Sequence, residues 1–125
     1  MSRTPVTAPG GAAIGPYSHA IRSKAFLFLS GQTPIDGATS KLVEGGMEAQ
    51  VRQCSRNLEA VLTASGLGFD HVVKCNVFLI DMDDFPVMNR VYAEHFREPH
   101  PARTTIGVAA LPMKARVEIE MIAEY

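Results

Sequence analysis

With 125 residues, 46% of them hydrophobic and 20% charged, the chain has the makeup of one folded domain, residues 1–125, burying about two-thirds of the surface its unfolded form exposes. A formal net charge of −1 supplies no basic field for phosphates, so nucleic-acid binding through counterion release is disfavoured. No apolar run approaches the roughly 20 residues of a membrane-spanning helix, and residues 1–15, with Arg3 as their only basic residue, do not read as a secretory or organelle leader; a cytoplasmic setting is the expectation.

After a loose start, residues 18–22 and 25–30 read as two short strands around Ser23-Lys24, a hairpin. Residues 33–46, rich in Gly, Pro, Thr and Ser, read as a loop. Met47, Val51, Cys54, Leu58, Val61, Leu62 and Ser65 then recur at helical spacing, with Glu48, Arg52, Arg56 and Glu59 on the other face. Gly66 supplies the left-handed stop for such a helix. Residues 72–80 form a β-branched-rich strand. Asp83 or Asp84 can cap the next helix, with Pro86 in its first turn and Phe85, Met88, Val91, Tyr92 and Phe96 as its apolar side. Glu98-Pro99-His100-Pro101 forbids continuation and brings in a strand at 103–109. Residues 111–115 turn, and 116–123 close the chain as a strand.

The order ββαβαββ describes an α+β domain with one sheet and two helices, which cover only one sheet face. On the last strand Val117, Ile119 and Met121 alternate with Glu118, Glu120 and Ile122. On the central strand Val73, Cys75, Val77 and Leu79 alternate with Lys74, Asn76, Phe78 and Ile80. Phe78, Ile80 and Ile122 do not suit a face left to water, so a second subunit is expected to cover it.

Cys54 and Cys75 form no Cys-x-x-Cys pair and fall in apolar stripes, so they read as small core hydrophobes. His19, His71, His95 and His100 are scattered over a turn, a strand entry, a helix end and a Pro-flanked loop. They form no ligand set, and neither a metal nor an organic cofactor is expected. Gly66-Leu67-Gly68 follows a helix instead of opening one, so it is no phosphate cradle.

The chemistry concentrates elsewhere. Pro101-Ala102-Arg103-Thr104-Thr105 opens one strand with an arginine, and Glu118 and Glu120 alternate on another that could lie beside it. An arginine fork grips a carboxylate through two parallel charge-assisted hydrogen bonds. A nearby glutamate can hold or polarise a water. Together they describe a site that adds water to a small, carboxylate-bearing electrophile. By pattern alone either glutamate also reads as a solvated side chain, and nothing in the alternation separates Glu118 from Glu120.

Five blocks now fall into one order: Gly15-Pro16-Tyr17-Ser18-His19-Ala20, Ser30-Gly31-Gln32, Asn89-x-x-Tyr92, Pro101-Ala102-Arg103-Thr104 and Val117-Glu118-Ile119-Glu120. In order and approximate spacing, from Gly15 to Ala123, the chain resembles the Rid (YjgF) family of reactive-intermediate deaminases. The resemblance implies a chorismate-mutase-like fold, one mixed sheet with two helices on one face, assembled as a homotrimer around a central β-barrel with sites in the clefts between subunits. It implies hydrolytic deamination of small enamino and imino acids, of the 2-aminoacrylate, 2-iminopropanoate and 2-iminobutanoate class, to 2-oxo acids and ammonia without a cofactor. At the matching positions it implies that Arg103 holds the substrate carboxylate and Glu118 positions or activates the water. Tyr17 would pack on the substrate and donate one hydrogen bond, Asn89 would contact it, and Ser30 and Gly31 would line the cleft. Thr105 stands where many archetypal members carry cysteine, in a role served by the backbone.

The chain departs from the archetype at His19, where glutamine is frequent, at Gly107, where an acid is usual, at His100, which replaces an aromatic residue, and in the short segment 96–101. These touch the rim of the cleft, so they bear on the substrate more than on the fold, and an enamine or imine from pyrimidine or aromatic-amine catabolism stays open. So does a small-carboxylate-binding or chaperone-like relative without turnover. A ribonuclease or translation inhibitor is disfavoured by the near-neutral charge and the absence of a clustered basic-aromatic stripe.

Overall fold

On the strand Phe26–Gln32, Leu27 and Leu29 are buried while Phe26 and Phe28, alternating with them, are exposed, the period-two signature of a strand packed on one side only. The structure is a computed structural model that describes residues 2–10 and 15–125. The elements are β1 (Thr4–Val6), β2 (Ala20–Ser23), β3 (Phe26–Gln32), β4 (Ile35–Asp36), β5 (Lys41–Leu42), α1 (Met47–Ala64), β6 (Val72–Leu79), α2 (Phe85–Ala93), β7 (Ala102–Gly107) and β8 (Val117–Glu124). One six-stranded sheet runs in the order β1-β2-β3-β8-β6-β7, with β4 and β5 paired separately. β6 and β7 are parallel, and the other neighbours are antiparallel.

That order corrects one expectation. The strands carrying Arg103 and Glu118 are not neighbours, because β6 lies between them. A parallel pair needs a crossover, and α2 supplies it between β6 and β7. β7 therefore takes one edge of β6, and β8 is left the other.

Both helices lie on the same sheet face. α1 buries Met47, Val51, Cys54, Leu58, Val61 and Leu62, and the facing strands contribute Leu27, Leu29, Val77, Leu79, Val117 and Ile119. Gly66 has φ +76°, so it closes α1 in the left-handed conformation its position requires. Gln50, inside the apolar stripe, is buried because its Oε1 accepts a hydrogen bond from the Arg116 N–H at 2.9 Å, fixing the entry to β8. α2 starts later than its cap: the Asp81 carboxylate accepts from the Asp83 N–H in the one-turn segment Met82–Asp84, and Asp84 caps nothing with its side chain. Phe96 lies past the end of α2, yet it is buried with its ring 4.6 Å from that of Tyr92.

Val73 is also corrected. It is 42% exposed, because a register shift between Val72 and Lys74 puts Val72 into the core instead. Two short pairings escape the sequence pattern. β1 contains Pro5, which only an edge strand tolerates, and β1 is the edge. β4 and β5 are two residues each, tied by Asp36, whose side chain accepts from the Ala38 N–H, and by the Asn57 amide, which donates to the carbonyls of Thr33 and Ile35. Met1 and residues 11–14, part of the stretch 1–15 considered above, lie outside the described residues. No helix is long and apolar enough to cross a membrane among the described residues.

The opposite sheet face carries Ile21 and Phe28 opposite each other, Ile122 beside Phe28, and Glu118, Phe78 and Ile106 in one cross-strand row. No helix covers it, and Phe28 and Ile106 are 46% and 45% exposed.

Candidate active site

Arg103 lies on the edge strand β7, aligned with buried Cys75, and so points to the helix side of the sheet. Its Cζ stands 4.7 Å from the centre of the Tyr92 ring and 5.6 Å from that of Phe85. Both rings come from α2, and Asn89 sits between them on the same stripe of that helix. Arg52, Arg90, Arg97 and Arg116 each meet a carboxylate. Arg103 meets none among the described residues, although it is half-buried. Asn89 is exposed. Thr105, two residues along β7 on the same face, has a buried Oγ1 without a hydrogen-bond partner among the described residues.

Beneath this group, burial raises the Cys75 thiol to about 11, with Tyr92 and Arg103 pulling the other way. That is an inert thiol and not a nucleophile. Burial also raises the Tyr92 phenol, as does the neighbouring Cys75.

Glu118 occupies the other face, opposite Phe78 on β6. Its carboxylate rests against Gly31, where a methyl group would stand 2.8 Å from Oε2 and 3.0 Å from Cδ. Gly31 falls where the β3–β8 register shifts between Leu29 and Gln32, an irregularity that re-aims the strand end toward the carboxylate. Burial, and after it the charge of Glu120, raise the Glu118 carboxyl above the usual carboxylate range. Glu120 is engaged, its Oε1 accepting from the Asn76 amide at 2.9 Å. Glu118 has no hydrogen bond or ion pair among the described residues, a difference between the two glutamates that alternation alone does not reveal.

The remaining candidates gather at the β3 end. Ser30 Oγ donates to the Ser18 carbonyl at 2.6 Å, and the Ser30 N–H donates to the His19 carbonyl at 2.9 Å. Ser30 thus ties the turn after Gly15 to β3. Tyr17 follows that turn, 47% exposed, and with Gly31 it lines a cavity of about 370 Å³ bounded also by His19, Gln32, Asn57 and Val61. His19 is buried, its Nδ1 accepting from the Ala8 N–H at 3.1 Å. His71 Nδ1 accepts from the Gly68 N–H, His95 packs on Phe69, and His100 is exposed, so the histidines do not converge. Among the described residues, no group of three or more His, Cys, Asp and Glu side chains is placed to hold a metal.

One chain thus places Arg103 and Thr105 on the helix side of β7, with Asn89 on the α2 stripe whose Phe85 and Tyr92 rings meet Arg103, and Glu118 together with Gly31 on the open side. It does not bring Arg103 to Glu118, because positions aligned with Cys75 and with Phe78 point to opposite faces. The aromatic floor under Arg103 was not singled out from the sequence. The signal for it was present, since Phe85 and Tyr92 flank Asn89 at helical spacing, but both also read as ordinary core residues.

Likeness to known proteins covers the same residues. The family described as Endoribonuclease L-PSP matches residues 7–125. Protein DfrA of Myxococcus xanthus is 50% identical over 113 residues, 89% of this chain and 86% of that protein. A Mus musculus protein named 2-iminobutanoate/2-iminopropanoate deaminase is 45% identical over 112 residues, 90% of this chain and 83% of that protein. The crystal structure of RidA from the Antarctic bacterium Psychrobacter sp. PAMC 21119 superposes with a TM-score of 0.93 at 40% identity, covering 98% of this chain and 100% of that one. With a two-helix, mixed-sheet α+β fold matched over nearly its whole length, the chain belongs to the Endoribonuclease L-PSP family, the Rid (YjgF) family of the sequence resemblance.

Proposed function

We propose that this protein hydrolyses small 2-imino acids and their enamine tautomers, of the 2-iminopropanoate and 2-iminobutanoate class, to 2-oxo acids and ammonia. The observation that carries this reading is Arg103: a half-buried guanidinium with no carboxylate partner among the described residues, facing away from a carboxylate, Glu118, that has no partner either. A relative 45% identical to the chain bears the name of that deaminase, which supports the substrate class.

The two groups lie on opposite faces of one sheet, so the complete site forms between copies. Arg103 of one copy and Glu118 of the next flank the substrate in one cleft, the guanidinium on its carboxylate and Glu118 at the imine carbon, in a homotrimer whose open faces, with Phe28, Phe78, Ile106 and Ile122, line a shared barrel. A cytoplasmic setting goes with this reading.

The chemistry asks little of the protein. A protonated C=N carbon is already electrophilic, so the site has to orient the acid, place a water and move protons. Arg103 grips the carboxylate through its fork. The Glu118 carboxylate takes a proton from the water as its oxygen bonds to the imine carbon. The resulting carbinolamine receives that proton on nitrogen; as the C–N bond breaks and the C=O bond forms, Glu118 takes the hydroxyl proton and passes it to the departing ammonia, which leaves as ammonium. A carboxyl raised by burial suits both halves of that exchange.

The test is release of 2-oxo acid from 2-iminopropanoate made in situ by an amino acid oxidase or a serine dehydratase, with and without this protein. Acceleration is expected, and Arg103→Ala should reduce it about 100-fold or more. Arg103→Lys should also weaken it, because the bidentate fork is lost. No acceleration with several small imino acids would favour a carboxylate-binding protein, and metal-free RNA cleavage lost in Arg103→Ala would favour a nuclease.

A further inference from the structure

An arginine that presents a flat fork to a carboxylate has to have its plane held, because the side chain carries several free torsions. An acidic neighbour would hold it but would compete with the incoming anion. Arg103 has no acid beside it among the described residues. It has the Tyr92 ring at 4.7 Å and, more distantly, the Phe85 ring at 5.6 Å.

Tyr92 is itself immobilised. It is 7% exposed, its ring lies 4.6 Å from Phe96, and Phe96 meets Phe69 edge-on at 5.4 Å. A column of aromatic rings therefore runs from Phe69 through Phe96 to Tyr92 and ends under the guanidinium. Cys75, aligned with Arg103 on β6, closes the space beside the phenol. The Tyr92 hydroxyl has no hydrogen-bond partner at ordinary distance among the described residues, so the ring face is the part that meets Arg103.

We propose that Tyr92 is a positioning residue, whose ring face fixes the plane of the Arg103 guanidinium so that its N–H edge is turned to the substrate carboxylate with no competing anion. This role rests on Arg103 acting as the carboxylate anchor proposed above. A ring face attracts a cation through its quadrupole while accepting none of the in-plane N–H groups, so the whole fork stays available. It also makes arginine the fitting cation, because a planar guanidinium stacks on a ring as an ammonium does not.

The experiment measures the dissociation constants of 2-oxobutanoate and of its neutral amide on the intact assembled protein, by calorimetry or NMR. Tyr92→Phe keeps the ring and should bind the acid within about twofold of wild type; Tyr92→Leu should lose about tenfold for the acid and almost nothing for the amide. In turnover, KM should rise by more than kcat falls. Because Tyr92 is buried and its replacement by leucine can impair folding, a second series places phenylalanines of increasing fluorination at position 92. Shape and packing persist, the quadrupole weakens, and acid affinity should fall stepwise. A flat response across that series, or equal losses for acid and amide, overturns the role of Tyr92. If Arg103→Ala abolishes acid binding while the series is flat, the anchor stands and only its platform is wrong. If Arg103→Ala leaves acid binding unchanged, the anchor and the platform are both wrong.

Discussion

At the β7 edge the charge of Arg103 lies over two aromatic rings, whereas at the centre of the sheet the carboxyl of Glu118 lies against a glycine and near a second glutamate. The first environment stabilises a cation without pairing it. The second disfavours an anion and so keeps a proton within reach. Neither would be stable as an ordinary salt-bridge half, and both sit on one sheet whose thickness keeps them apart. The contrast teaches that one sheet can hold two ionisable groups of opposite character on its two faces; in our proposal these are half-sites, one completed by a substrate carboxylate and the other by a neighbouring copy.

The strongest way to break that picture is to divide it. Arg103→Ala and Glu118→Ala should each lower turnover about 100-fold or more. When the two variants are unfolded together and reassembled at equal amounts, roughly a quarter of the sites should regain both groups, because neighbouring copies supply the missing halves. Activity that stays at the level of the single variants, in oligomers shown to be mixed by native mass spectrometry, would place both groups in one copy.

Gly31→Ala is the next largest. Its methyl group, 2.8 Å from Glu118 Oε2, displaces the flexible end of the glutamate without disturbing the core. The unfolding midpoint should hardly move while kcat falls about tenfold to 100-fold from the misplaced carboxyl. Undiminished kcat would remove Glu118 from the proton transfers.

A pH comparison sharpens the electrostatic half of the contrast. Because the native Glu118 carboxyl is raised above its unfolded value, the native state binds this proton more tightly. Wild-type stability therefore falls as pH rises from the ordinary carboxylate range through the raised native pKa, and the penalty is fully present above it. Glu118→Gln should be inactive yet more stable than wild type at neutral pH, with the difference vanishing at acidic pH. Denaturant midpoints measured against pH for both proteins check the sign; an advantage that grows on acidification would reverse it.

The smallest effect is expected at an arginine of the opposite kind. Arg52 bridges Glu48 on α1 and Glu94 just past α2 on the surface, so Arg52→Ala should leave turnover intact and lower the unfolding midpoint only slightly, with less effect in high salt. A loss of turnover comparable to that of Arg103→Ala would erase the distinction between paired and unpaired arginines.

Much of the scaffold is legible in the chain. The 3.6-residue recurrence from Met47 to Leu62 and the stop at Gly66 mark α1 because an isolated helix face is written locally. The alternation along β8 is equally local, and it names Glu118 and Glu120 as residues of the uncovered face. Alternation alone places Val73 on the core face, whereas a bulge shifts parity by one residue, and a bulge is set by the partner strand. β1 is not legible in the sequence, because Pro5 reads as loop until the strand is known to be an edge. Of the site, the motif residues Arg103 and Glu118 stand out by type and neighbourhood, while the ring under Arg103 and the glycine under Glu118 do not.

The division has a physical basis. Periodicity and turn chemistry depend on residues a few positions apart, so the chain carries on its face the identity of its helices, the sides of its strands and the residue types of its site. Strand order depends on how a crossover closes and which edges remain free, and these are settled by packing between segments far apart in sequence. That is why β6 separates Arg103 from Glu118, why Tyr92 lies beneath a guanidinium eleven residues on, and why two groups that look like one site on paper face opposite ways in space.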